Sequence, residues 1–100
     1  MIKHIVMWKF KDEIPEENKA MLKENMQKAL TSLLGKVPGL LSVEFQSELL
    51  SSSTHDMALV TELESAKALA GYSVHPEHVA VANTYVRPFV CDRSCLDYEE

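Results

Sequence analysis

The stretch Ile2–Phe10, IKHIVMWKF, decides the fold because it is rich in the β-branched and aromatic residues that favour extended backbone. Successive side chains of a strand point to opposite faces, so His4, Val6 and Trp8 share one face. The other face carries Ile5 between lysines and is also largely apolar. We expect a strand that helices cover on one face and that something else covers on the other.

The same periodicities and the turn residues between them predict the other elements. In chain order we expect a helix over Pro15–Leu34, strands over 40–49 and Met57–Leu63, short helices over Glu64–Tyr72 and Pro76–Val86, and a last strand over Phe89–Tyr98. In the second strand, alternation places Leu41, Val43 and Phe45 on one face.

The predicted order, β-α-β-β-α-(α)-β, is the split plan of ferredoxin-like α+β domains with a four-stranded antiparallel sheet. Such a sheet carries helices on one face only. Because the first and third strands remain apolar on both faces, we expect a second copy to pack sheet to sheet in a symmetric homodimer. The length of 100 residues fits a single domain over 1–100.

Composition narrows the class of partner and the compartment. Apolar residues make up 46% and charged residues 25% of the chain, which is ordinary for a globular protein, and the net charge of −5 argues against a nucleic-acid partner. No apolar run approaches the ~20 residues of a membrane span, and charge interrupts the N-terminus too early for a secretory signal. We therefore expect a cytoplasmic protein with no membrane partner.

Cys91 and Cys95 lie too far apart on one predicted strand for a disulfide, so we expect free thiols.

Several segments resemble a known family in order and spacing over almost the whole chain. They are the first strand, GKVPGLLSVEF at 35–45, DMALVTEL at 56–63, YSVHPEHVAV at 72–81 and the terminal LDY at 96–98. On these segments the chain is identified as a member of the stress-responsive dimeric α/β barrel family. The residues that carry the resemblance most specifically are His4, Tyr72, His75, Pro76 and His78. The resemblance implies ferredoxin-like protomers that pair into a dimeric α/β barrel.

The resemblance also implies a chemistry. A plant polyketide cyclase of this family closes a ring by an intramolecular aldol reaction without a cofactor, so no cofactor is expected. Its catalytic pair corresponds to Tyr72 and His78, and a histidine of its pocket corresponds to His4. The cyclase has bulky aromatic side chains on its first helix, where this chain has Leu22, Lys23 and Met26. The same linear polyketide substrate is therefore not implied.

The residues themselves support a base and a hydrogen-bond donor in one segment. His78 falls near the third position of the helix that Pro76 opens, where outward N–H groups and the helix dipole disfavour imidazolium. A neutral imidazole suits a general base, and the Tyr72 hydroxyl can donate to a carbonyl oxygen that becomes an enolate or alkoxide. Two structural readings stay open: His78 only satisfies backbone groups at the turn, and Tyr72 is a core ring.

Two other histidines have structural and functional readings. His75 precedes Pro76 in extended geometry, and a structural role at the turn is preferred to a catalytic one. His4 is either a satisfied core histidine or part of a cavity wall. Together with His75 and His78 it would resemble a metal triad, but no acidic residue completes a recognisable spacing, so we expect no metal.

Apolar residues near His4 are candidates for substrate binding. If the helices leave a cavity over the face of the first strand that carries His4, its expected lining is His4, Val6, Trp8, Met26, Leu59 and Phe89. Otherwise the same side chains fill the core.

Three functions stay open. The first is a homodimer that binds a small hydrophobic carbonyl compound or acid and performs cofactor-free proton transfer of the cyclase or lyase type, with His78 as base and Tyr72 as hydrogen-bond donor. The second is a stress-related structural or ligand-binding dimer without catalysis. The third is a monooxygenase-like dimeric barrel that acts on haem or a quinol.

Overall fold

The computed structural model describes all 100 residues, Met1–Glu100. Its elements are β1 (Ile2–Phe10), α1 (Glu16–Thr31), β2 (Leu40–Gln46), β3 (Met57–Leu63), α2 (Ala66–Val74), α3 (Pro76–Val81), a π-helical segment (Ala82–Val86) and β4 (Val90–Glu99). The four strands form one antiparallel sheet in the order β2-β3-β1-β4, with the helices packed on one face. The predicted ferredoxin-like α+β fold is confirmed. None of the helices combines the length and apolar character needed to cross a bilayer.

Strand β1 lies at the centre of the sheet, between β3 and β4. Its burial alternates along the strand, with His4, Val6 and Trp8 buried under the helices. We call this helix-covered face the inner face and the opposite one, which carries Ile5 and Met7, the outer face. The alternation agrees with the pattern predicted from the sequence, and it fixes which side chains of the neighbouring strands reach the helices.

Helix α1 covers the inner face through one buried stripe, formed by Leu22, Met26 and Leu30. Pro15 takes the cap position in extended geometry, as its preference for helix starts predicts. The helix ends at Thr31, earlier than the predicted Leu34. The reason is that the N–H groups of Leu33 and Leu34 bond to carbonyls only three residues back, after which Gly35 adopts a φ of 89°.

The chain turns sharply between α2 and α3 at His75, which ends the first helix and caps the second. Its Nδ1 accepts a hydrogen bond from the backbone N–H of Glu77 at 3.1 Å, and Pro76 occupies the first helical position. The helix predicted over Pro76–Val86 is α-helical only to Val81. The wider turn after Val81 is closed by a bond from the Arg87 N–H to the Ala82 carbonyl at 2.8 Å.

Strand β2 contains an irregularity that the alternation rule does not predict. Its pairing with β3 shifts between Leu40 and Ser42, so one extra residue enters the strand there. As a result Leu40 and Phe45 are buried, while Leu41 is 42% exposed. The prediction that Leu41 shares the face of Phe45 is therefore wrong.

Strand β4 contains a second bulge, opposite Trp8. Met7 pairs with Ser94 and Lys9 with Cys91, so Asp92 and Arg93 together face one residue of β1. Asp92 has a φ of 52°, in the left-handed region. The extra residue reverses the alternation, and Arg93 consequently points to the inner face, where an unbroken strand would direct it outward.

This bulge gives a stability prediction. Asparagine tolerates the left-handed region and a β-branched residue does not. The free energy of unfolding of Asp92→Val is therefore expected to be about 1–2 kcal/mol lower than that of Asp92→Asn. Both substitutions remove the exposed contact between Asp92 and Lys9, which makes Asn the matched control. Urea unfolding followed by circular dichroism measures the difference. Equal stability of the two variants would contradict the conformation assigned to this bulge.

Candidate active site

A cavity of about 210 Å³ lies between the inner face of the sheet and the helices. Every layer of the fold contributes to its wall, which consists of His4, Val6, Trp8, Leu30, Leu59, Tyr72, Ser73, His78, Ala82, Val86, Arg87 and Arg93. The cavity volume is many times the ~10–15 Å³ that one water molecule requires. The wall is mostly apolar, with imidazole, phenol and guanidinium groups at a few positions, as is usual for a site that binds a small organic molecule.

Three ring side chains lie together in this wall. The centroids of the Tyr72 and His78 rings are 4.3 Å apart, with the planes tilted by 39°. The His4 ring meets Tyr72 edge to face at 6.1 Å. The turn at His75 produces this arrangement because it folds α3 back on α2, although Tyr72 and His78 belong to different helices.

The hydrogen bond made by His78 defines its tautomer. Its Nδ1 lies 3.3 Å from the carbonyl oxygen of Ser73. A carbonyl only accepts, so Nδ1 carries the proton and donates it, and Nε2 of the neutral ring keeps a free lone pair. The imidazole is therefore oriented by the backbone of α2.

The pKa of His78 is lowered from its ordinary value of 6.5. Burial is the main cause, and the charges of Arg87 and Arg93 lower the pKa further, while the Ser73 carbonyl opposes the shift. The sequence predicts a neutral imidazole because of the helix dipole. The direction is the same, but desolvation is the larger cause.

Tyr72 has the opposite protonation preference. It is 2% exposed, and burial raises its pKa to about 12 because the phenolate would lose its hydration. The hydroxyl therefore keeps its proton at neutral pH and acts only as a neutral donor or acceptor. The same wall thus holds an unprotonated imidazole nitrogen and a protonated phenol.

His4 is paired with a carboxylate of β4. Nδ1 of His4 is hydrogen-bonded to Oδ1 of Asp97, which lies in β4 directly opposite. Cys95 Sγ approaches the same His4 nitrogen at 3.8 Å. The bond to Asp97 fixes the ring orientation of His4, in the way carboxylates commonly orient histidines.

His4, Cys95 and Asp97 are also the residues best placed for a metal ion, since their candidate ligand atoms lie within 4.8 Å of one another. A metal ion there would compete with the bond between His4 and Asp97, and its binding would require removal of the thiol proton of Cys95. Burial and the charge of Asp97 raise the pKa of that thiol, so the arrangement favours hydrogen bonding. The triad of His4, His75 and His78 does not form, because His75 faces a different pocket.

The structure places most, but not all, of the predicted substrate-binding residues in the cavity wall. His4, Val6, Trp8 and Leu59 line it. Met26 does not, because it is completely buried between α1 and the sheet, and Leu30, one turn later, takes its place. Phe89 does not line the cavity either. Its carbonyl accepts a hydrogen bond from the Lys11 N–H, which lies beyond the end of β1 that is distant from His4.

Two lining residues, Arg87 and Arg93, were not predicted from the sequence. Arg87 follows the π-helical segment, and Arg93 follows the bulge at Asp92. Regular helical and strand periodicity cannot place side chains that depend on such irregularities. The one signal in the sequence is that these are the chain's two arginines and that they lie close together in it.

The fold and the cavity define a ferredoxin-like protein with a site between sheet and helices, built around a tyrosine and a histidine. Residues 2–100 match the stress responsive A/B barrel domain (Dabb) family, to which the chain therefore belongs. This confirms the family predicted from the sequence. The chain is similar to olivetolic acid cyclase of Cannabis sativa, with 28% identity over 89 residues, covering 84% of this chain and 82% of the cyclase.

Solved structures share the whole fold. A dimeric ferredoxin-like protein of unknown function from Bacteroides fragilis is 29% identical and superposes with a TM-score of 0.89 over 99% of this chain and 95% of its own. Hydroxynitrile lyase from Passiflora edulis (TM-score 0.71, covering 97% and 90%) and a putative antibiotic biosynthesis monooxygenase from Nitrosomonas europaea (0.74, covering 100% and 98%) are each 14% identical. At that identity the likeness shows the fold alone.

Proposed function

We propose that the protein binds a small hydrophobic carbonyl compound or acid in its cavity and catalyses cofactor-free proton transfer, of the cyclase or lyase type. The observation that carries the proposal is the contact between the rings of Tyr72 and His78 in one cavity wall. Groups whose environments push their pKa values in opposite directions are a common basis of acid–base catalysis.

In the proposed reaction His78 is the general base. Its Nε2 accepts a proton from the carbon next to the substrate carbonyl, while the Ser73 carbonyl holds the other ring nitrogen. The lowered pKa keeps the base available at neutral pH. The imidazolium formed in this step then returns the proton to the carbon or oxygen at which the product requires it.

Tyr72 is the proposed donor to the carbonyl oxygen, which gains negative charge as the enolate forms. A buried donor stabilises such charge more strongly than water does, because little reorganisation is needed. The His4 ring, held by Asp97, meets the Tyr72 ring edge to face and helps to fix its position. The similarity to a cyclase over most of the chain favours this class of reaction over that of a monooxygenase-like barrel.

The proton-transfer step can be measured without knowing the natural substrate. In D2O the protein is expected to exchange the α-hydrogens of a hydrophobic ketone such as 4-phenylbutan-2-one, detected by proton NMR. His78→Gln should slow this exchange at least ~100-fold, the usual contribution of a general base. Tyr72→Phe should slow it by a similar factor, since one oxyanion donor is lost. The wild-type rate should decline only below pH 6.5, because the pKa of His78 is lowered.

His55→Gln is the matched control, since His55 contacts Thr54 and Ser94 and does not line the cavity. Unchanged exchange in His78→Gln, with the variant folded by circular dichroism, would refute the assignment of the base. Ketone binding with no exchange in the wild type would favour the ligand-binding dimer.

We also propose that the chain forms a homodimer through the outer face of its sheet. No helix of the protomer covers this face, where Ile5 lies between Val60 and Leu96 in adjacent strands. Leu96 is 57% exposed in the protomer. The similar protein from Bacteroides fragilis is dimeric, and an apolar sheet face of this kind requires a partner.

Two free cysteines fit the reducing cytosol, which we propose as the location.

Leu96→Asp tests this interface. Two-fold symmetry would bury two new carboxylates, so the dimer should dissociate at least ~100-fold more readily. Size-exclusion chromatography with light scattering should show a dimer for the wild type and for the control Leu50→Asp, in which a loop residue 79% exposed is changed. A dimeric Leu96→Asp protein would contradict the interface.

A further inference from the structure

We propose that the ligand of this cavity is a hydrophobic carboxylic acid whose carboxylate is held by Arg87 and Arg93 and whose apolar body lies against Trp8 and Leu30. The inference rests on the proposed function for the reaction of the bound acid, and it adds the substrate class. It concerns groups to which the proposed proton transfer assigns no role.

The two arginines of the chain are concentrated at this cavity. The chain has ten basic residues, of which two are arginine, and both arginines line this one cavity. The chain as a whole has a net charge of −5. The cavity therefore gathers positive charge in a protein that is otherwise acidic, which favours an anionic ligand.

Neither guanidinium has a carboxylate partner within the protein. Of the eight lysines, Lys3, Lys9, Lys19 and Lys28 form ion pairs with acidic residues, whereas the other four lysines and both arginines form none. Arg87 instead donates from Nη1 to the neutral amide oxygen of Asn83 at 2.6 Å. This bond orients the side chain from the π-helical segment and leaves its charge uncompensated.

Two local irregularities of the backbone place the arginines at the cavity. The bulge at Asp92 turns Arg93 from the outer face to the inner face, and the bond between the Arg87 N–H and the Ala82 carbonyl ends the π-helical segment at the cavity wall. Bulges and π-helical turns are found preferentially at functional sites. Here two independent irregularities bring like charges to one wall, an arrangement that an anion between them would stabilise.

The chemistry selects a carboxylate with an apolar tail. Guanidinium groups bind planar carboxylates through paired hydrogen bonds, and the apolar part of the wall accepts a hydrocarbon body. Both arginines are close enough to His78 to influence its charge. An acid bound there would place the carbon atoms near its carboxylate within reach of the proposed base, as in a keto acid.

Isothermal titration calorimetry with matched probes tests the inference. The probes are 4-phenylbutanoate, its primary amide and 3-phenylpropyl phosphate. We expect the acid to bind at least ~10-fold more tightly than the amide, and more weakly as salt is added. Arg87→Gln and Arg93→Gln should each weaken acid binding ~10- to 100-fold and leave amide binding unchanged. Lys67→Gln, which removes a cation outside the cavity, should have no effect.

The outcomes separate this inference from the proposed reaction. Equal affinity for acid and amide, arginine variants that bind the acid like the wild type, tighter binding of the phosphate, or no binding of the acid would each overturn it. Arginine-dependent binding of the acid with no hydrogen exchange on any ketone would support the inference while the proposed reaction failed.

Discussion

The alternation of side chains along β1 is the constraint on which the rest of the structure depends. Because this strand is paired on both sides, its register fixes which residues of β3 and β4 share the inner face. A slip by one residue would exchange His4, Val6 and Trp8 for the lysine-bearing face and would remove the floor of the cavity. The same alternation leaves Ile5 and Met7 on the outer face, so one strand determines both the site and the proposed dimer interface.

The turn at His75 places the functional side chains of α2 and α3 together over the inner face of the sheet. His75 completes α2 and caps α3, and Pro76 supplies the fixed backbone angle that starts the new helix. The reversal brings His78 against Tyr72 and lets the Ser73 carbonyl hold Nδ1 of the imidazole. One structural histidine therefore orients a second that is available for chemistry, which explains why two histidines flank this proline.

The regular parts of the fold could be predicted from the sequence because they follow local rules. The bounds of β3 and the inner face of β1 come directly from composition and period. The faces on which Leu41 and Arg93 lie could not be predicted, because in each case a single inserted residue reverses the alternation of the strand. Met26 was assigned to the cavity because helical period identifies a buried stripe, but it does not identify which turn borders empty space.

The proposed proton transfer requires that His78 is a neutral imidazole with its proton on Nδ1, and nitrogen NMR of the ring at pH 7 measures this state. We expect the chemical shifts of a protonated Nδ1 and an unprotonated Nε2, with a titration midpoint below the ordinary 6.5. An imidazolium at pH 7, or a neutral ring with its proton on Nε2, would refute the role of His78 as base, because Nε2 would then have no lone pair with which to accept a proton.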